Sequence, residues 1–450
     1  MKILVTTRLL DTWSTSEGTC TVKFCDLLSE RGHEVLCLNG DDSLPPGPLA
    51  WLPECTIIAL AGAPPEPVSV LGERWPRRLA RLVDQKADAA RAYATGFSRA
   101  QRVARRRWRD GLTAAIAAHR PDVVFIRGAG QDFSPHLAMT ELAERAAGTG
   151  PAWVAHYHDP WPLSLYPEPY ARREGSIGWF QERANRRILR AAGAVTFPSR
   201  RLADWEASLA GVALGERAVV VPHQGVGADL WAAVSAITPP APAPDDQLTL
   251  VHAGLLNRQR DPQPLRDALA RRLARRAGDG ARSDVHLRLL GSLDPKLTGT
   301  DRWAESVEHL QARGALELDD RRVSYAESIA AVRHADVGVV VAVGHPESPF
   351  FPAKLADLVS LGGPLLVLAP TASSPADIIG LDHPGFAAID RPDEIDRALD
   401  ALVDARRLGT LDRFTPPVAA VRLVSPDGVG AAIDRAIERA RWTAGVGSRP

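Results

Sequence analysis

The segment HAGLLNRQRDP (252–262) sets Arg258 and Arg260 in a loop, between an apolar run ending at Gly254 and a helical pattern that follows. Guanidinium groups are always charged and meet an oxyanion with paired N–H donors, so this loop suits a diphosphate. A second junction, HPESPFFPAKLADLVSLGGPLLVL (345–368), reads as strand, loop, helix, turn, strand. Pro352 fits a first helical turn, which aims the backbone around Phe350, Phe351, Pro352 and Ala353 at the same phosphates. Lys354 can screen phosphate charge, and Asp357 can accept hydrogen bonds from ribose hydroxyls. The competing reading of these two is an i,i+3 surface ion pair.

Two N-terminal segments offer different chemistry. HYHDPW (156–161) follows a strand pattern directly, and Pro160 forces the chain out of regular structure there. His158 and Asp159 thus emerge at a strand end, placed to hydrogen-bond sugar hydroxyls, with Trp161 packing nearby. Glu17, Gly18 and Thr19 stand ahead of a helical pattern at Val22–Arg31. A glycine with hydroxyl neighbours at a helix start presents N–H groups to an anion or a sugar hydroxyl, though an ordinary cap explains it equally well. No DxD follows a strand, so no metal is expected and arginines would take the cation's role.

These groups need a frame that sets loops at strand ends. Apolar, often β-branched runs recur at 3–7, 34–38, 56–60, 122–126, 152–156, 194–197 and 218–221, then again at 248–254, 285–291, 337–343 and 364–370. Amphipathic Arg/Ala/Leu-rich segments separate them, and such alternation predicts parallel sheets covered by helices on both faces. Each half thus reads as its own doubly wound α/β domain: 1–236, a proline-rich linker at 237–246, 247–422, and a terminal helix and tail at 423–450. The apolar spacing of Val429, Ile433, Ala436, Ile437 and Ala440 marks that helix.

Composition narrows the classes. Lys+Arg (54) balances Asp+Glu (54), so no overall field favours nucleic acid. The four cysteines, at 20, 25, 37 and 55, make no CxxC pair, and reduced thiols in a cytoplasmic protein are expected. The opening ILV run reads as a strand, too short for a signal-peptide core, and no apolar stretch approaches a membrane span. The basic, tryptophan-bearing stretch 99–109 is read as a solvated helix face, with peripheral membrane contact as the alternative.

The order of these segments resembles that of the retaining GT4-type (group 1) glycosyltransferases of the GT-B fold, over nearly the whole chain. RGHEV (31–35), the HD of 158–159, RILRAAGAVTFPSRRLADW (187–205) with VVVPHQGV (219–226), the Gly254-to-Arg260 spacing, SYAESIAAVRHADVGVVV (324–341) and FPAKLADLVSLGGPLLVL (351–368) carry the resemblance. It implies two Rossmann-like domains facing a central cleft. The second would bind a nucleotide-sugar donor, UDP- or GDP-linked, and the first a small-molecule, glycan or lipid-linked acceptor. It places Ser324 and Tyr325 by the nucleotide base, and it implies retention of anomeric configuration without a cofactor. Two departures stand out. Of the family's paired glutamates, the second falls on Asp357 and the first on Pro349, leaving Glu347 or backbone groups to replace it. The arginine after the phosphate-loop glycine is Leu255. A sugar-nucleotide epimerase of the same fold, or a non-catalytic nucleotide-sugar-binding protein, are the rival readings.

Overall fold

The computed structural model describes residues 1–8, 10, 16–40, 55–60, 75–128, 132–146, 149–162, 175–238, 247–276, 282–299, 301–343 and 346–446. Contacts divide the chain into two compact units, Met1–Val221 with Gly430–Pro450, and Pro222–Val429. The sequence places a linker at 237–246, of which 239–246 lies outside the described residues, as do Trp13, Arg74 and Tyr166. Residues 222–238 pack with the second unit through Gly225 N, which donates to Val424 O at 3.0 Å, and Trp231, whose ring lies 5.0 Å beneath the Arg333 guanidinium.

In the first unit, β1 (Lys2–Thr7), β2 (Glu34–Asn39), β3 (Cys55–Ala59), β4 (Val123–Arg127), β5 (Ala152–His156), β6 (Ala194–Phe197) and β7 (Ala218–Val220) form one parallel sheet in the order β3-β2-β1-β4-β5-β6-β7. The second unit contributes β8 (Leu248–Ala253), β9 (Val285–Leu290), β10 (Leu316–Asp319), β11 (Val337–Val341), β12 (Glu347–Ser348), β13 (Leu365–Ala369), β14 (Ala372–Ser373) and β15 (Phe386–Ala388). Its main sheet runs β10-β9-β8-β11-β13-β15, and β12 pairs with β14 alone. All pairings are parallel, so every connection is a crossover.

Burial on both faces explains the apolar runs. Leu248 and Leu250 point into one core with Leu366 and Leu399, whereas Val251 and Ala253 point into another with Leu355 and Leu358. The first unit closes Leu4, Leu36, Val124, Ile126 and Phe197 into its core. Strands β10, β12, β14 and β15 were not expected: all four are short, and LELD of β10 carries alternate acids. The first helix spans Ser16–Glu30, six residues earlier than its apolar spacing suggests, so Glu17, Gly18 and Thr19 are helical.

The terminal helix, Pro426–Val446, buries Val429, Ile433, Ala436, Ile437 and Ala440, in line with the spacing read above. In the first unit it is held by an Arg31–Asp434 ion pair, by Arg439–Glu216 at 2.6 Å, and by the Thr443 hydroxyl donating to Gly193 O at 3.1 Å. Gly193 permits this approach, since a Cβ there would lie 2.9 Å from Ala440 O and 3.0 Å from its Cα. Both are backbone atoms and cannot swing aside. Gly193→Ala is therefore expected to lower stability by about 1–3 kcal/mol and to cut hydrogen-exchange protection along 430–446. Unchanged protection there would show that the helix is not docked through this contact.

Candidate functional site

Strand order reverses between β1 and β4 in one unit and between β8 and β11 in the other. Crossovers leave in opposite directions at such points, and the gap outside the strand ends receives ligands.

In the second unit β8 ends at Ala253 and the chain turns at Gly254 (φ 139°). A Cβ on Gly291 (φ 119°), after β9, would meet Gly254 O at 3.0 Å, so these loops touch through backbone alone. Over Gly254 lies the Lys354 side chain, whose Cε would be 3.0 Å from a Cβ there. Lys354 Nζ is 3.5 Å from His252 Nε2, while His252 Nδ1 donates to Val339 O at 3.1 Å. That bond fixes the tautomer and turns the Nε2 lone pair towards the ammonium. Burial, then the charge of Lys354, keeps His252 well below the usual imidazole range and hence neutral. Lys354 is itself lowered to about 7 by burial and then by the charge of Arg260, with Asp357 opposing.

Of the two loop arginines, the structure brings Arg260 to this group. Its backbone N–H is fixed by Asn257 O at 3.0 Å and Asn257 Oδ1 at 2.9 Å. Arg258 is exposed, and its Nε donates to Lys296 O at 3.0 Å. The helix Ala353–Leu361 starts from Pro352 with no side-chain cap, which leaves its first N–H groups available to an anion. Pro352 thus sits at the cap rather than inside the first turn. Phe350 and Phe351 are buried, so only their backbone can serve a ligand.

Asp357 is 4% exposed and accepts the Tyr325 hydroxyl at 2.5 Å, so a surface ion pair with Lys354 is ruled out. Ser324 is occupied as the N-cap of helix Tyr325–Arg333, in a capping box with Glu327. Glu347 is exposed on β12. The neighbouring Ser348 hydroxyl is buried with no hydrogen-bond partner among the described residues, a feature that no motif signals. His223 lies 5.3 Å from the Phe351 ring, and Val226 N donates to Ser360 Oγ at 2.9 Å, which seats 223–226 on the same helix.

In the first unit Glu17, on the opening turn of Ser16–Glu30, is buried, and its Oε1 has no hydrogen-bond partner among the described residues. Burial pushes its carboxyl up to about 8; Arg127 and Arg8 pull against this, while Asp159 and Asp132 add to it. Arg127 ends β4, is 3% exposed, and lies 4.6 Å over the Phe24 ring. It was not singled out in the sequence, where one arginine at a strand end looks like any other. His158 is half-buried, with a ring nitrogen within 4.8 Å of Cys20 Sγ. Glu17, Asp159 and His158 are thereby gathered around the ends of β1, β4 and β5.

Trp161 corrects the expected sugar contact. It is 2% exposed and stacked on Phe133 at 4.6 Å. Its N–H donates to Glu206 Oε1 at 2.7 Å, and its carbonyl accepts from Asn185 Nδ2 at 2.8 Å. Asn185 also donates to Glu206 Oε2 at 2.6 Å and accepts the Tyr157 hydroxyl at 2.5 Å. Trp161 is an anchor that sets the direction of His158 and Asp159. The basic stretch is likewise used internally: on helix Arg99–His119, Trp108 is in the core, Arg105 pairs with Glu141, and Arg107 donates to Leu60 O at 2.7 Å. Among the described residues no helix is long and apolar enough to cross a membrane.

Residues 18–224 match the family model Glycosyltransferase Family 4. No curated protein sequence matches the chain. Among solved structures, a glycosyltransferase from Rickettsia africae ESF-5 is similar with a TM-score of 0.55 at 13% identity, over 99% of this chain and 97% of that one. An α,α-trehalose 6-phosphate synthase from Burkholderia multivorans gives 0.59 at 14%, over 99% of both. A trehalose-6-phosphate structure from E. coli bound with UDP-2-fluoro glucose gives 0.57 at 11%, over 100% of both. At such identities these neighbours show the fold, which is GT-B.

The Glu17 carboxyl has a pH signature. An unfolded glutamate loses its proton near 4.3, whereas the folded one keeps it to about 8. Between these values the folded state holds the extra proton, so its contribution is complete below the lower pKa and is lost as pH rises through the upper one. The slope is at most about 1.4 kcal/mol per pH unit. Thermal unfolding at about pH 5 and about pH 8 should show a smaller loss for Glu17→Gln than for the unaltered chain. Equal losses would mean that Glu17 is ionised in the fold.

Proposed function

We propose, from the premise that the chain is a nucleotide-sugar-dependent GT-B glycosyltransferase of the family 4 type, that its second unit holds the donor and its first unit receives the acceptor. The carrying observation is the cluster of Lys354, Arg260 and the uncapped helix start around Gly254. Two cations and a helix N-terminus at one strand end suit a leaving diphosphate, whose growing negative charge they stabilise. Asp357, with Tyr325, takes the ribose and nucleoside side; His158 and Asp159, with Glu17, Gly18 and Thr19, take the sugar and acceptor side. The donor is UDP- or GDP-linked: one GT-B neighbour holds UDP-2-fluoro glucose. The acceptor is a polar small molecule or a glycan, and the trehalose 6-phosphate synthase neighbour favours a sugar phosphate within that class. Four cysteines outside any disulfide favour a cytoplasmic setting.

The reaction retains the anomeric configuration and needs no divalent metal, because protein cations neutralise the diphosphate. Proton NMR of the first-formed product, from an assay run in excess chelator, should show the donor's configuration at undiminished rate. Inversion, or activity restored only by added metal, refutes the respective half of this reading.

Division of labour between the units is tested by calorimetric titration of nucleoside diphosphate. Arg260→Ala removes a charge-assisted contact, about 1.5–3 kcal/mol, so affinity should fall more than about tenfold. Asp357→Asn should weaken binding of the nucleoside alone. His158→Ala should leave nucleotide affinity within about threefold while lowering turnover by at least about a hundredfold, as for an interaction made chiefly in the transition state. A folded His158→Ala chain that loses nucleotide as badly as Arg260→Ala would overturn the assignment.

A further inference from the structure

Three of the four cysteines converge on one face of the first sheet. Cys25 comes from helix Ser16–Glu30, Cys37 from β2 and Cys55 from β3, and their sulfur atoms all lie within 4.8 Å of one another. Register accounts for the placement. Cys37 pairs with Ile57 and Cys55 with Val35, so the two thiols are two residues apart along neighbouring strands and share a face. One strand across and two residues along put their Cα atoms about 8 Å apart, beyond the reach of about 7 Å that a disulfide tolerates. The sulfurs can share a ligand, but the backbone does not let Cys37 and Cys55 oxidise to each other without moving a strand.

A cation about 2.3 Å from each of three sulfurs holds them about 4 Å apart, so the triad needs to contract by less than about 1 Å. Cys25 and Cys37 are fully buried, while Cys55, on the edge strand, is only partly covered and gives a way in. Three thiolates around a divalent ion leave one net negative charge, which a buried site must balance. Arg127 supplies the countercharge: it is buried, its charge is felt at Cys37, and its Nε has no hydrogen-bond partner among the described residues. The thiols give up their protons as the ion binds.

We propose that Cys25, Cys37 and Cys55 form a three-thiolate site for a soft d10 divalent cation of the zinc and cadmium class, tying the edge strand and first helix to the sheet. Soft thiolates select such ions over magnesium or calcium. The site lies within the sheet rather than beyond the strand ends, so it is separate from the diphosphate site proposed above.

The test uses the full-length Cys20→Ser chain, which keeps only these three thiols, reduced and stripped of metal. Titration with Cd²⁺ should give a sulfur-to-metal charge-transfer band that saturates at one ion per chain, with release of protons to an indicator dye. Cys37→Ser and Cys55→Ser, each in that background, should bind Cd²⁺ at least about tenfold more weakly. Zn²⁺ should raise the thermal midpoint of the parent and not of the Cys55→Ser chain, whose substitution at the edge strand spares the core if Cys37→Ser fails to fold. Absence of the band at stoichiometric Cd²⁺, or equal binding by the Cys55→Ser chain, overturns the proposal.

Discussion

Parallel pairing is the constraint from which the rest follows. A strand laid parallel to its neighbour must be reached by a crossover, and a sheet built outwards in both directions from its first strand has one place where successive crossovers part. That place is β1/β4 in one unit and β8/β11 in the other. The central strands themselves are apolar and buried. Titratable groups gather at both places, with Glu17, Arg127 and Asp159 at one and Lys354, Arg260 and Asp357 at the other.

The two gatherings solve one electrostatic problem in opposite ways. An ionised group taken out of water is costly unless paired, and a titratable side chain relieves the cost by moving its pKa towards the neutral form. Glu17 does so as an acid pushed up to about 8, and Lys354 as a base brought down to about 7. Each lies near the pH at which a small change of surroundings alters its charge. In the proposed reading a diphosphate favours the charged form of Lys354, so the cation strengthens as its partner arrives. At Glu17 the neutral acid can donate a hydrogen bond as well as accept one, which suits a hydroxyl-rich ligand.

Much of this frame was legible. Eleven of the strands announced themselves as apolar, often β-branched runs, most of them because strands buried on both faces carry little polar alternation to hide them. LELD and FAA did not, being edge strands too short for periodicity to speak. Segments after strand ends offered Arg260, Lys354, Asp357 and His158 as candidates by chemistry and position, and the structure brings the first three together. What sequence could not give is the direction of a side chain whose partner lies far away. Trp161 and Trp108 look like exposed aromatics until Phe133 and the sheet are seen behind them. Glu206, 45 residues past Trp161 in the chain, has no local signature at all.

The family pattern also changes meaning once the geometry is known. The position after the phosphate-loop glycine is Leu255, which is 52% exposed, so no arginine stands there to share the charge of a diphosphate. In the proposed reading that load falls on Arg260 and Lys354, and the two repel: the charge of Arg260 is one reason why Lys354 sits so low. That repulsion is carried by the fold that holds Gly254 under the lysine and Asn257 under the Arg260 backbone. A diphosphate placed between them relieves it, and relieves it further as the glycosidic bond breaks and negative charge grows. Beneath Lys354, His252 is kept neutral and adds no competing cation.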